Sequence, residues 1–250
     1  MSSASDSNGC SPAWNGVGSP DNHLTGDARP GQTFPDRALA RLIDHTLLKA
    51  ESTNEDVGAL CKEAASHCFM SVCVNPARVA RAAEALAGSG VRVCTVVGFP
   101  LGACASRVKA FETQAAIQDG AHEIDMVLDI GGAKAGDWSR VEADVRAVID
   151  AAGEAALTKV ILETCLLTPD EIRVASEVCA RAGANFVKTS TGFGKAGATT
   201  DAVRIMRATV GDSLGVKASG GIRDHASAMA MIAAGASRIG ASASVAIVNR

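Results

Sequence analysis

No run of about 18 apolar residues occurs in the sequence, which excludes a membrane-spanning helix. It also lacks a basic surplus: 24 Lys and Arg stand against 27 Asp and Glu, a formal charge of −3. An electrostatic grip on nucleic acid or on an anionic membrane surface is therefore not expected. There is no CxxC pair, no HxH or HExxH, and no GK[ST] tripeptide, so neither metal-ligand spacing nor a P-loop is on offer. Aromatic residues make up only 3% of the chain, and tyrosine is absent. What remains is a 250-residue chain with 47% hydrophobic and 20% charged residues, a balance that excludes disorder, collagen and a disulfide scaffold.

The eight cysteines fall mostly inside apolar runs such as Val93-Cys94-Thr95-Val96-Val97. They read as buried, reduced thiols behaving as small hydrophobes. With no secretory leader visible, a reducing cytoplasm is the expected compartment.

Residues 1–36 differ from the rest, holding four of the seven prolines and five glycines with no apolar periodicity. Such a segment cannot bury enough surface to offset its ordering entropy and reads as a flexible extension. Residues 37–250 then form one domain.

From Arg37 onward, β-rich runs alternate with Ala-rich amphipathic stretches. Strands are expected to begin near Ile43, Met70, Val93, Glu123, Lys159, Phe186, Gly215 and Arg238, between 23 and 36 residues apart. Each interval suits one strand, one helix and two short loops. Helix starts are punctuated by Asn75-Pro76 and by capping boxes at Ser52…Glu55 and Thr168…Glu171; Gly88 and Gly183 follow helical patterns as C-terminal caps. Eight βα units in one α/β domain favour a closed (β/α)8 TIM barrel over a doubly wound sheet.

Barrels of this kind carry their chemistry at the carboxyl ends of the strands. Period-two alternation turns Ile124 and Met126 toward the helices and points Glu123 and Asp125 inward; it likewise sends Lys188 and Lys217 into the barrel from neighbouring strands. Two ammonium groups about 6 Å apart at an effective dielectric near 20 repel by roughly 3 kcal/mol. Burial acts in the same direction, so one lysine is expected to lose its proton and serve as a nucleophile toward a carbonyl carbon. Asp125 would compensate charge and move protons, Glu123 reads as structural one layer lower, and Asp44 is a second polar group near the mouth. Glycines after strand seven (Gly220, Gly221) and in strand eight (Gly240, before Ser242) occupy the customary phosphate-binding position, which points to a phosphorylated substrate. Gly192-Phe193-Gly194-Lys195-Ala196-Gly197 formally matches GxGxxG, but it sits in the sixth βα unit and not the first of a dinucleotide fold.

Taken together, Ile43-Asp44-His45-Thr46-Leu47-Leu48, Val96-Val97-Gly98-Phe99-Pro100, Glu123-Ile124-Asp125-Met126-Val127, Phe186 to Phe193 and Val216 to Ile222 resemble the deoxyribose-phosphate aldolase family, from about Leu42 to Val248. The resemblance implies a cytoplasmic class I aldolase of deoxyribose phosphate catabolism. Such an enzyme reversibly cleaves 2-deoxy-D-ribose 5-phosphate to acetaldehyde and D-glyceraldehyde 3-phosphate, with no metal and no organic cofactor. It makes Lys188 the Schiff-base nucleophile, Lys217 its proton-handling neighbour and Asp125 the general acid/base. Asp44, Cys73, Thr191 and Gly192 match substrate positions, and Gly220, Gly221, Gly240 and Ser242 match phosphate positions. A homodimer is the assembly it suggests. Two alternatives stay open: the same imine chemistry on another aldehyde, and an idle barrel that merely binds a phosphosugar.

Many family members end in a tail whose terminal tyrosine assists proton transfer at the enamine carbon. This chain has no tyrosine, so Schiff-base formation is expected to be intact and enamine protonation slower.

Overall fold

The computed structural model describes residues 36–249. The extension read over residues 1–36 lies outside them, except that Asp36 opens a short helix, α1 (Asp36–Ala40). Eight strands follow, each separated from the next by helix: β1 (Ile43–Leu47), β2 (Ser71–Val74), β3 (Arg92–Val97), β4 (Glu123–Val127), β5 (Leu157–Ile161), β6 (Phe186–Lys188), β7 (Gly215–Ser219) and β8 (Arg238–Ala241). The intervening helices are α2 (Asn54–His67), α3 (Val79–Leu86), α4 (Ser106–Gln118), α5 (Ile130–Lys134), α6 (Trp138–Ala152), α7 (Pro169–Ala182), α8 (Thr200–Val210) and α9 (His225–Ala233), with α10 (Ser244–Val248) after β8. All strands are parallel, and β1 pairs with both β2 and β8, so the sheet closes on itself as the eightfold repeat predicts. This is a (β/α)8 barrel. No described helix is long and apolar enough to cross a membrane.

Five strands begin where the sequence pattern places them. β2, β3 and β5 begin at Ser71, Arg92 and Leu157 instead of Met70, Val93 and Lys159. The Thr168–Glu171 capping box is present and Gly183 ends α7 at φ +93°, as expected. The box before α2 is shifted by one residue. Thr53 caps it, because the Asp56 carboxylate reaches back to both the Thr53 amide (2.8 Å) and its hydroxyl (2.9 Å). Asn75 holds the cap position ahead of Pro76, but its side chain makes no cap bond. Its amide instead donates to the Leu48 carbonyl at 3.2 Å, and Pro76–Arg78 form a single 3₁₀ turn ahead of α3.

Alternation along the strands divides the interior into two chemically different regions. Val72, Ile124, Met126, Val160, Val187, Val216 and Ile239 join one large apolar layer with helix residues such as Val141, Val145 and Val178. Inside the barrel only a small apolar group remains, Leu48, Cys73, Cys94 and Val96 with Phe99 against them. Among them lie the charged side chains of Asp44, Glu123, Asp125, Lys159, Lys188, Lys217 and Arg238. Outside the barrel, a buried Lys109–Asp144 pair (2.5 Å) ties α4 to α6, and Lys109 Nζ also donates to the Val127 carbonyl at the end of β4. Cys61, Cys73, Cys94 and Cys179 are buried free thiols, as the sequence reading expects; Cys104 is exposed and Cys165 half-buried, and Cys68 departs further, being disulfide-bonded.

Candidate active site

The register settles which side chains meet. Lys188 and Lys217 are direct Cα partners on β6 and β7, and Asp125 pairs with Lys159 across β4 and β5. Alternation sends all four side chains inward, where Asp125, Lys159 and Lys217 are wholly buried and Lys188 keeps 3% exposure. Asp125 Oδ2 accepts from Lys188 Nζ and from Lys217 Nζ, each at 2.8 Å. Its Oδ1 accepts from Lys159 Nζ at 2.7 Å and from the Cys94 thiol at 3.2 Å. Burial alone would raise the Asp125 carboxyl, but the ammonium groups of Lys159, Lys188 and Lys217 outweigh it and hold the group well below the ordinary carboxylate range.

A second tier lies beside the first. Asp44 takes Arg238 on Oδ1 at 2.7 Å and Lys217 on Oδ2 at 2.5 Å. Glu123 takes Lys159 at 2.6 Å and Arg238 at 3.1 Å. Desolvation pushes Lys217 and Lys159 down, yet the facing carboxylates, Asp125 foremost, drive both above the ordinary lysine value. Lys217 thus stands between two buried carboxylates, Asp125 and Asp44, which hold it as an ammonium. Lys159 and Arg238 were read only as strand starts, so two of the four buried cations inside the barrel were missed. Period-two alternation from Asp125's register partner would have found Lys159.

The other predicted site residues separate into two groups. Gly192, Gly221 and Ser242 are exposed on the loops after β6, β7 and β8, with Gly220 half-buried beside them. Gly240 is buried in β8 instead, and a Cβ there would come 3.0 Å from Lys217 Cε, so its lack of a side chain makes room for the lysine. The GxGxxG stretch has a steric reason of its own. A Cβ on Gly197 would lie 2.1 Å from the Gly220 carbonyl oxygen, which accepts from the Ala198 amide at 3.0 Å. Only glycine allows the loop after β6 to clasp the loop after β7.

Thr191 is buried, and its hydroxyl is fully engaged. It donates to the Glu163 carboxylate and accepts from the Phe193 amide at 3.0 Å. Glu163, a residue that sequence reasoning missed, lies two residues beyond β5 with φ +53°, a left-handed conformation that a non-glycine residue adopts at a cost. Ser190, two residues beyond Lys188, is buried with its hydroxyl unpartnered among the described residues, against the backbone of Gly220. Phe99 and the exposed Phe193 meet edge-on, ring centroids 5.3 Å apart, joining the loops after β3 and β6. Cys73 faces Cys94 across β2 and β3. Two donor groups come close enough to hold a cation, Cys73-Cys94-Asp125 and Asp44-Cys94-Glu123.

The chain is similar to known proteins over most of its length. Residues 38–249 match the model of the DeoC/LacD family aldolases. The chain is 61% identical over 212 residues to a deoxyribose-phosphate aldolase of Exiguobacterium sibiricum, covering 84% of this chain and 96% of the relative. It is 58% identical over 211 residues to that of Mannheimia succiniciproducens, with coverage of 84% and 94%. The tetrameric deoxyribose phosphate aldolase of Aeropyrum pernix superposes with a TM-score of 0.80 at 34% identity, over 85% of this chain and 90% of that one.

Proposed function

Because the chain belongs to the DeoC/LacD aldolase family, and is an enzyme that makes or breaks carbon–carbon bonds, we propose that it cleaves 2-deoxy-D-ribose 5-phosphate to acetaldehyde and D-glyceraldehyde 3-phosphate through a Schiff base on Lys188. The observation that carries this reading is a charge count. Asp44, Glu123 and Asp125 face Lys159, Lys188, Lys217 and Arg238 in one buried cluster. The four buried cations outnumber the three carboxylates, and the part-exposed Arg92, 3.8 Å from Glu123, adds a further positive charge, so the cluster favours loss of a proton from one lysine. Lys188 has no carboxylate oxygen to itself and is the lysine of the three that retains any exposure.

Its free amine adds to the C1 aldehyde, and the carbinolamine loses water to give a protonated imine. Lys217, held as an ammonium, supplies the proton that the leaving water needs; Asp125, held as a carboxylate, carries protons between the two lysines. Asp125, directly or through a water, then takes the C3 hydroxyl proton. The C2–C3 bond breaks, its electrons enter the imine as an enamine, and glyceraldehyde 3-phosphate leaves. Protonation at C2 and hydrolysis release acetaldehyde and restore the amine. The loops bearing Gly192, Gly220, Gly221 and Ser242 offer backbone amides for the phosphate. The names of the 58–61% identical relatives support this substrate.

Incubation with deoxyribose 5-phosphate and borohydride, followed by peptide mass mapping, tests the proposal. A reduced two-carbon adduct on Lys188 is expected, and it should vanish in K188A. An adduct on Lys217, or none, overturns it.

A further inference from the structure

The mechanism leaves two buried sulfur atoms unused. Cys73 and Cys94 are direct partners on β2 and β3, both with 0% exposure inside the barrel. Their Sγ atoms and a carboxylate oxygen of Asp125 all lie within 4.8 Å of one another. The Cys94 thiol already donates to Asp125 Oδ1 at 3.2 Å. Around a tetrahedral zinc ion, with bonds of about 2.3 Å to sulfur and about 2.1 Å to oxygen, neighbouring donors stand roughly 3.6–3.8 Å apart. Shifts of about 1 Å or less would close these three donors on one ion.

We propose that Cys73, Cys94 and Asp125 form a binding site for one thiophilic divalent cation, of the zinc and cadmium class, whose occupation removes Asp125 from proton transfer. Charge allows it. Entry of the ion expels the two thiol protons, so M²⁺ plus two S–H groups becomes M(S)₂ plus two H⁺, and the net charge of the buried cluster does not change. Asp125 is already ionised and needs no deprotonation to become a ligand. Two sulfurs select against magnesium and calcium, which take oxygen ligands. The other donor group, Asp44-Cys94-Glu123, offers a single sulfur, and both of its carboxylates are committed to Arg238 and to lysines. At Cys73-Cys94-Asp125 the ion would take Oδ1 of Asp125, displacing the Lys159 ammonium that donates to it at 2.7 Å, and its charge would keep the carboxylate from accepting a proton.

Titration of the full chain with Cd²⁺, in the presence of a non-thiol reductant, reads this directly. Expected are a saturating thiolate-to-cadmium charge-transfer absorbance at one ion per chain, two protons released per ion, and no response to Mg²⁺. Turnover should fall in proportion to occupancy and return with a chelator. C73S and C94S, or C73A and C94A if the serine variants misfold, should each weaken binding by at least about 100-fold. C104S, which alters an exposed cysteine, should not weaken it. Absorbance surviving in both the Cys73 and Cys94 variants would overturn the site, and so would its absence from the parent chain. Full occupancy without loss of turnover would overturn the role given to Asp125. The optical and proton readouts require no substrate, so they stand apart from the identity of the sugar.

Discussion

Lys188 and Lys217 share a single oxygen atom, Oδ2 of Asp125, each donating to it at 2.8 Å from adjacent strands. One carboxylate thus both separates and couples the two amines. Lys217 has a second anion in Asp44 at 2.5 Å, whereas Lys188 has none of its own. The two lysines are therefore inequivalent although they sit in register. The first consequences concern what happens when either side of this balance is altered.

Replacing Lys217 with methionine removes the cation from two buried carboxylates at once. Stability should drop by about 3–5 kcal/mol, the usual cost of orphaning one partner of a buried pair. Borohydride trapping on Lys188 should slow by ~100-fold or more as the acid for carbinolamine dehydration is lost. Urea midpoints and single-turnover trapping rates measure the two effects separately. A K217M variant as stable as its parent would contradict the ion lattice described above.

The lattice also fixes the pH range of stability. Asp125 and Asp44 are lowered in the folded state against burial, Asp125 chiefly by Lys159 and Asp44 chiefly by Arg238. Their contribution is fully present above the unfolded value of about 4 and lost as pH falls through the lowered folded values. Lys159 and Lys217 are raised, so theirs is fully present below about pH 10.4 and lost as pH rises through the folded values. Denaturant stability should therefore be flat, as far as this cluster governs it, between those limits and fall on both sides. In R238M the acid limb should lose less and be complete at a higher pH, because Asp44 and Glu123 lose the same guanidinium.

Gly197 meets the Gly220 carbonyl too closely for any side chain. G197A should push the loop after β7 out of place and raise KM for the phosphorylated sugar by about 10–100-fold, the equivalent of one charge-assisted hydrogen bond. KM for unphosphorylated deoxyribose should change little. Equal changes for both sugars would remove the loop from phosphate binding.

The Thr191 hydroxyl is the brace between Glu163 and the loop after β6. T191V keeps the shape and leaves a buried carboxylate short of a donor, at a cost of about 1–3 kcal/mol. E163Q retains an acceptor for that hydroxyl and should cost less. Thermal or urea midpoints order the two variants, and the reverse order would refute the brace.

How much of this was readable in the chain follows from the range of each signal. Period-two alternation is local, so it correctly turned Asp125, Lys188 and Lys217 inward and sent Ile124, Met126 and Val187 to the helix layer. The same alternation holds for Lys159, yet nothing in Leu157-Thr158-Lys159-Val160-Ile161 announces its partners, which lie 34 and 36 residues earlier on β4. Arg238 reaches Asp44 across the closure of the barrel, at the other end of the described chain. The capping box before α2 slipped by one residue because Ser52…Glu55 and Thr53…Asp56 both fit the pattern; the side chain that reaches back decides between them.

By itself, then, the sequence determined the eightfold βα repeat, the polarity of each strand face and the lysines that enter the barrel, because these depend on spacing within one unit. Which amine is held charged, which glycine makes room for a lysine and which for a loop, and which sulfurs stand beside Asp125 were decided only when the sheet closed. Those relationships are set by the stagger between strands and by screening in a buried cluster, and neither is a property of any single segment.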